Sequence, residues 1–173
     1  MFRSVRLIIA AAVLVAGCAP GGALGGAMNA SADKPTITKA QALARIEQLI
    51  NGTVAIMHPK PELELHQPSL NDSLCLDPVD GGSEDRLIIN RTYYLRGLPK
   101  ESLKKVIAEV KAYWQSQGHY IEAQSDNGLQ LYGRSRPDDF FITIGWTEGD
   151  VLSLSSTSTC LWPNGTPEPS STP

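Results

Sequence analysis

The chain has no cluster of basic residues: its 15 lysines and arginines are scattered over 173 residues and outnumbered by 18 acidic residues. The formal net charge is −3 at pH 7. Nucleic-acid binding leaves a footprint of grouped lysine and arginine, and polybasic contact with anionic lipid needs the same. We therefore expect neither nucleic acid nor a charged lipid surface as a partner of the folded part.

Motifs of catalysis are also missing. The chain has no Gly-x-Ser-x-Gly element, no free thiol beside a histidine and no glycine-rich phosphate loop after a predicted strand. We expect a protein that is not an enzyme and that has no cofactor.

The one long apolar run is too short to span a membrane. Arg3 and Arg6 precede apolar residues 7–15, and Ala16 and Gly17 follow. A basic start, a short apolar core and small residues are typical of a secretory signal peptide, whereas a spanning helix needs about 20 apolar residues. We predict a signal peptide over residues 1–17.

A cysteine follows this segment directly. Val-Ala-Gly-Cys at residues 15–18 resembles the lipobox of bacterial lipoproteins. The resemblance implies that the Cys18 thiol receives a diacylglyceryl group with acyl chains such as palmitate, and that cleavage leaves Cys18 as the new N-terminus. Two acyl chains anchor a protein far more firmly than one. We expect lipid anchoring at the extracytoplasmic face of the cell membrane; an ordinary secretory signal or an uncleaved helix is the alternative.

The rest of the chain divides into three parts. Small residues and glycines without periodicity predict a flexible tether over residues 18–35. Residues 36–162 have the ordinary size of one domain, which we expect to be monomeric. Proline, serine and threonine dominate residues 163–173 and predict a disordered tail.

Two cysteines remain for the folded part. In an oxidising compartment, Cys75 and Cys160 predict a disulfide. Two reduced thiols that bind a metal are the alternative, but neither cysteine has a histidine or cysteine neighbour to complete such a site.

Two amphipathic helices are predicted. Thr38 and Gln41 have the spacing of a capping box, and apolar residues recur at helical spacing up to Met57, with an end at Gly52 or beyond it. Pro99 suits the first turn of a second helix. Its apolar stripe comprises Leu103, Val106, Ile107, Val110 and Trp114.

Strands are predicted over residues 86–96, 120–125, 129–134, 140–147 and 151–160. The tight Asn127-Gly128 turn indicates a hairpin, and tight turns make neighbouring strands antiparallel. By alternation, Phe140, Ile142, Ile144 and Trp146 point inward. The predicted fold class is α+β: a two-layer sandwich with two helices packed on one face of an antiparallel sheet of about four to five strands.

The opposite face of this sheet is the candidate binding face. Alternation places Tyr94, Arg96, Tyr132 and Arg134 on it. Tyrosine and arginine are favoured in recognition surfaces, although an antiparallel sheet ordinarily has one solvated face without any such role.

Histidines and carboxylates alternate in one short segment. His58, Glu62, Glu64 and His66 have ligand types that suit a divalent metal. A solvated strand face is the simpler interpretation, and we predict no metal site. The acidic residues Asp77, Asp80, Glu84 and Asp85 do not have the spacing of a calcium loop and are interpreted as an ordinary turn.

Two short stretches carry a second resemblance. Leu-Cys-Leu-Asp at residues 74–77 and Ser-Thr-Cys-Leu-Trp-Pro at residues 158–163 are similar to small lipoproteins of actinobacteria, including the LppA-like group. The resemblance covers roughly residues 36–163. It implies an envelope protein without an assigned activity, so it assigns no functional residue.

Together these observations predict a lipid-anchored, non-catalytic binding module of the cell envelope. Its partner would be an envelope protein, a glycan or a small ligand. The alternatives are a cell-wall hydrolase with unidentified carboxylates and a metal-binding lipoprotein that uses His58, Glu62, Glu64 and His66.

Overall fold

A computed structural model describes residues 34–75 and 85–167. The predicted signal peptide, Cys18, most of the tether, Asp77, Asp80 and Glu84 lie outside the described residues. The described part is mixed α+β and contains a sheet of six strands, a second sheet of two strands and two α-helices.

The elements follow one another in a simple order. In chain order they are α1 (Lys39–Ala55), β1 (Glu62–Leu65), a 3-10 turn (Gln67–Leu70), β2 (Ser73–Leu74), β3 (Leu87–Ile88), β4 (Asn90–Arg96), a second 3-10 turn (Lys100–Ser102), α2 (Leu103–Ser116), β5 (Tyr120–Gln124), β6 (Gln130–Arg134), β7 (Phe141–Thr147) and β8 (Val151–Thr157).

Helix α1 begins at the predicted capping box. The Thr38 side chain accepts a hydrogen bond from the Gln41 amide at 3.2 Å, and the Gln41 side chain accepts one from the Thr38 amide at 2.9 Å. The helix then runs through Gly52, which resolves the alternative that the sequence left open. A Cβ at Gly52 would lie 2.7 Å from the hydroxyl of Tyr113 on α2, so a glycine lets the two helices approach closely.

Replacing Thr38 with alanine should lower the free energy of unfolding by about 1 kcal/mol, because an amide of the first turn loses its acceptor. Chemical denaturation monitored by circular dichroism measures this change. Lys105→Ala, at an exposed position of α2, is the control and should leave stability nearly unchanged; equal stability of the Thr38 variant and this control would contradict the prediction.

The large sheet is antiparallel throughout and has the order β1-β4-β8-β7-β6-β5. Strands β5 to β8 form a meander, and α2 carries the chain from β4 across to the opposite edge. The predicted α+β class is confirmed. The sheet has six strands because residues 62–65 pair with β4 and add an edge.

Both helices pack on one face of this sheet and form the core with it. The five residues predicted for the buried stripe of α2 are all buried. At the centre, the indole Nε1 of Trp114 donates to the Thr53 hydroxyl of α1 at 2.9 Å, so the two helices share a hydrogen bond inside the apolar layer. Neither described helix combines the length and apolar composition that crossing a bilayer requires.

One predicted core residue is not buried. Trp146 has the inward parity of Ile142 and Ile144, but 40% of its surface is exposed. It lies near the end of β7, beside a cleft that the start of α2 leaves open. Its indole Nε1 donates to Asp150 at 3.2 Å. The predicted side of the sheet was correct for Trp146. The predicted burial was wrong, because the helices do not extend over this end of β7.

The folded part extends beyond residue 162. The Thr36 amide donates to the Gly165 carbonyl at 2.8 Å, and the Lys39 amide donates to the Pro163 carbonyl at 3.1 Å. Residues 163–165, which composition assigns to a disordered tail, therefore pair with the chain just before α1. Composition cannot predict this pairing of the two ends of the domain, because the hydrogen bonds join backbone groups more than 120 residues apart.

Cys75 and Cys160 form the expected pair, with Cα atoms 5.7 Å apart. Cys75 directly follows β2, which pairs with β3, and a bridge between Leu87 and Leu161 continues the pairing towards Cys160. The bond therefore joins the small sheet to the segment after β8.

Candidate functional site

The face of the large sheet opposite the helices is named the outward face. It is formed by Glu64 of β1, by Asn90, Thr92, Tyr94 and Arg96 of β4, by Ser153, Ser155 and Thr157 of β8, by Phe141, Thr143 and Thr147 of β7, and by Gln130, Tyr132 and Arg134 of β6. Neither helix covers it. All four residues predicted for the binding face lie there.

The register separates these four residues into two groups. Tyr94 and Arg96 lie on β4, whereas Tyr132 and Arg134 lie on β6, with β8 and β7 between them. Three strand spacings correspond to about 14 Å. The outward face therefore has two aromatic–arginine clusters at its sides and, between them, a central band of polar side chains from β4 and β8.

The first cluster is centred on Tyr94. Its hydroxyl lies 3.2 Å from Nδ1 of His66, and the two rings meet edge to face with centroids 5.5 Å apart. The Arg96 guanidinium lies 5.3 Å from the centre of the Tyr94 ring, within the range of a cation–π contact. Arg96 also holds both oxygens of Glu64, at 2.7 Å and 3.2 Å. These contacts fix Tyr94 from two sides.

The Arg96 hydrogen bond lowers the pKa of Glu64, and the same contact raises the pKa of Arg96. Both groups are charged at neutral pH, and their charges cancel locally. Beside them a shallow cavity of about 290 Å³ is lined by Tyr94, Arg96, Thr147, Glu148 and Val151. The first cluster therefore offers an aromatic ring and a mutually neutralised ion pair, and the adjoining cavity adds the carboxylate of Glu148.

The second cluster repeats this composition. The rings of Tyr132 and Phe141 are nearly parallel, at 15°, with centroids 6.1 Å apart. The Arg134 guanidinium lies 5.0 Å from the centre of the Phe141 ring and 3.5 Å from a carboxylate oxygen of Glu122. Here too an arginine rests on an aromatic ring and has an acidic partner.

The central band is made of hydroxyl and amide groups. The hydroxyls of Thr92 and Ser155 are 2.8 Å apart, the Thr92 hydroxyl donates to Asn90 at 3.0 Å, and Asn90 donates to Thr157 at 3.1 Å. Such groups both donate and accept. The band suits a ligand with hydroxyl groups better than a ligand with a strong charge of one sign.

The structure does not arrange the four residues of the alternative metal site as ligands of one ion. Glu64 is held by Arg96, and His66 contacts Tyr94 through Nδ1. In residues 34–75 and 85–167, no three histidine, cysteine or acidic side chains come together as metal ligands would. His58 and Glu62 are exposed.

Three of the described carboxylates have shifted pKa values, and all three are lowered. The pKa of Glu64 is lowered by Arg96 and that of Asp150 by Lys100. Burial raises the pKa of Asp138, but hydrogen bonds from Arg45 and Ser135 outweigh it and lower the pKa overall. A glycosidase acid needs a carboxyl group whose pKa is raised, and these three change in the other direction.

Comparisons of the chain with protein-family models, with curated proteins and with solved structures find no match. The resemblances to lipoproteins therefore stay predictions. The outward face has to be interpreted from its own residues.

Sequence reasoning did not include three contributors to the outward face. Phe141 was not predicted for this face, although its ring stacks on that of Tyr132. His66 was considered only as a metal ligand, although it packs on Tyr94. No role was predicted for Asn90, although it connects the hydroxyls of the central band. The alternation signal was sufficient to place Phe141 and Asn90 on this face, but Tyr132, which stacks on Phe141, and Thr157, which accepts from Asn90, lie on other strands.

Proposed function

We propose that the chain is a lipid-anchored, extracytoplasmic binding module that contacts its ligand with the outward face. The lipobox-like residues 15–18 support the anchor, and the Cys75–Cys160 pair suits an oxidising compartment. The observation that carries the binding role is the pairing of the two aromatic–arginine clusters on either side of the hydroxyl band. Tyrosine and arginine side chains of this kind dominate the energetics of recognition surfaces.

The ligand class follows from charge and shape. Each arginine has an acidic partner, so the face has little net charge to attract a polyanion. The rings provide flat apolar surfaces, and the central band provides paired donors and acceptors. A sugar presents an apolar C–H face together with a rim of hydroxyls. We therefore assign the outward face to a neutral glycan segment that spans both clusters.

The double variant Tyr94→Ala/Tyr132→Ala should bind neutral cell-wall oligosaccharides at least tenfold more weakly, because each substitution removes one aromatic ring from the contact surface. Titration calorimetry on the full-length chain in detergent measures this. Trp146→Ala is the matched control, because it removes an exposed aromatic side chain from the opposite side of the molecule.

Three outcomes are informative. Loss of affinity in the double tyrosine variant, with the control unchanged, supports the glycan assignment. Unchanged affinity in that variant contradicts the outward face as the site. If no oligosaccharide binds, the glycan assignment is wrong, and photocrosslinking from Tyr132 then shows whether an envelope protein occupies the face instead.

A further inference from the structure

A second candidate site lies on the helix side of the sheet. A cavity of about 330 Å³ opens where α1, α2, the start of β5 and the segment after β6 meet. Its polar wall is formed by Arg45, Gln48, Tyr113, Gln117, His119 and Arg136. We name it the helix-side cavity. Its volume is at the lower end of the range for small-molecule sites.

The wall of the helix-side cavity is rich in hydrogen-bond donors and contains no acidic residue. Arg45 and Arg136 both line it. Their carboxylate partners, Asp138 and Asp139, are not part of the wall. Both guanidinium groups therefore line the cavity, and each also forms an ion pair with a carboxylate that is not part of the wall.

His119 contributes a hydrogen-bond donor, and its contact with the Arg136 backbone indicates which ring nitrogen carries the hydrogen. The backbone amide of Arg136 donates to Nδ1 of His119 at 3.2 Å, so Nδ1 is an acceptor and the ring hydrogen belongs on Nε2. Burial lowers the pKa of His119, Arg45 adds to this effect, and Asp138 opposes it. The imidazole is therefore neutral at pH 7 and has one N–H to offer.

Tyr113 adds a hydroxyl without a partner. Within the described chain no hydrogen bond joins its Oη to another group, although the Gly52 backbone lies directly beside it. Arg45 is held in place by Asp138 at 2.7 Å and by Gln48 at 2.9 Å. The side chain of Arg136, by contrast, is about half exposed, at 48%. The cavity thus combines a fixed guanidinium, a more accessible one and a free hydroxyl.

We propose that the helix-side cavity binds the oxyanion group of a small molecule, a carboxylate or a phosphate, through Arg136, Tyr113 and His119. Planar guanidinium groups and hydroxyl donors recognise both anions, and charge-assisted hydrogen bonds of this kind are the strong ones. The site is independent of the outward face, because it lies on the other side of the sheet.

Titration of the full-length chain with sodium phosphate and, separately, with sodium succinate tests this proposal by calorimetry. The Arg136→Gln variant should weaken binding about tenfold or more, equivalent to about 1.4 kcal/mol, because a charge-assisted hydrogen bond is lost. Tyr113→Phe should weaken it severalfold while preserving the ring against Gly52. Lys105→Gln, an exposed lysine on α2, removes the same charge outside the cavity and serves as the control.

Saturable binding of either anion that both cavity variants weaken and the control does not would support the proposal, and the anion that binds identifies the source of the oxyanion. Nitrogen-15 chemical shifts of the three histidines give an independent readout, in which only His119 should respond. Absence of saturable binding by both anions overturns the proposal. So does binding that Tyr113→Phe and Arg136→Gln leave unchanged in folded protein.

Discussion

Replacing Cys18 with serine is expected to abolish lipid attachment completely. A serine hydroxyl does not replace the thiol that forms the thioether in the lipoprotein family, so no acyl chain is added. Each buried CH₂ contributes about 0.8 kcal/mol to membrane affinity, and two chains make attachment effectively stable. Labelling with a palmitate analogue and membrane fractionation measure the loss. Uncleaved precursor should accumulate at the same time.

Ala19→Ser is the control, because it changes the neighbouring residue by a similar small step and keeps the thiol. It should label and fractionate like the parent chain. A Cys18→Ser protein that has lost residues 1–17 and still partitions with membranes would show that something other than lipid holds the protein there. The anchor proposal would then be wrong.

Removing the Cys75–Cys160 bond should have the largest effect on stability. The bond closes 85 residues, and the chain-entropy model gives about 4–5 kcal/mol for such a loop as an upper estimate. The double variant Cys75→Ala/Cys160→Ala should therefore unfold roughly 10–20 °C below the parent chain. Differential scanning calorimetry measures the shift.

Reduction of the parent chain should lower its unfolding temperature by a similar amount, whereas the double variant should not respond to reductant. This comparison separates the bond from the packing of the two side chains. If both thiols of the exported, non-reduced protein react with an alkylating reagent before unfolding, the bond is absent from the native state and the prediction fails.

Local patterns predicted much of the fold. The capping box at Thr38 depends on residues three apart, and the Asn127-Gly128 turn joins two strands that are adjacent in sequence. Both signals lie within a few residues of each other, which is why the sequence alone suffices. The stripe of α2 has the same local origin, since helical spacing determines which face is buried.

Long-range pairing accounts for what the sequence did not predict. Strand β1 has only four residues and joins the sheet through β4, about thirty residues later in the chain. No local pattern specifies that partner. The Glu64–Arg96 ion pair depends on the same register. The alternating pattern therefore predicted the side of the sheet for Arg96 but not the neutralisation of its charge.

Arg91 illustrates a second limit. It interrupts the apolar parity of β4, and the sequence offers no reason. The residue is buried, and its guanidinium donates to the carbonyl of Ser69 at 3.0 Å and to that of Asn90 at 2.6 Å. Ser69 belongs to the 3-10 turn after β1. The Ser69 hydroxyl also accepts a hydrogen bond from the Thr92 amide. Arg91 thus joins this turn to β4.

Intact-mass spectrometry of the protein extracted from the membranes of a producing bacterium tests the central claim most directly. The account predicts a chain that begins at Cys18, has the added mass of a diacylglyceryl group, and keeps Cys75 and Cys160 joined without reductant. A cytosolic chain that retains residues 1–17, has no lipid and contains two free thiols would contradict it.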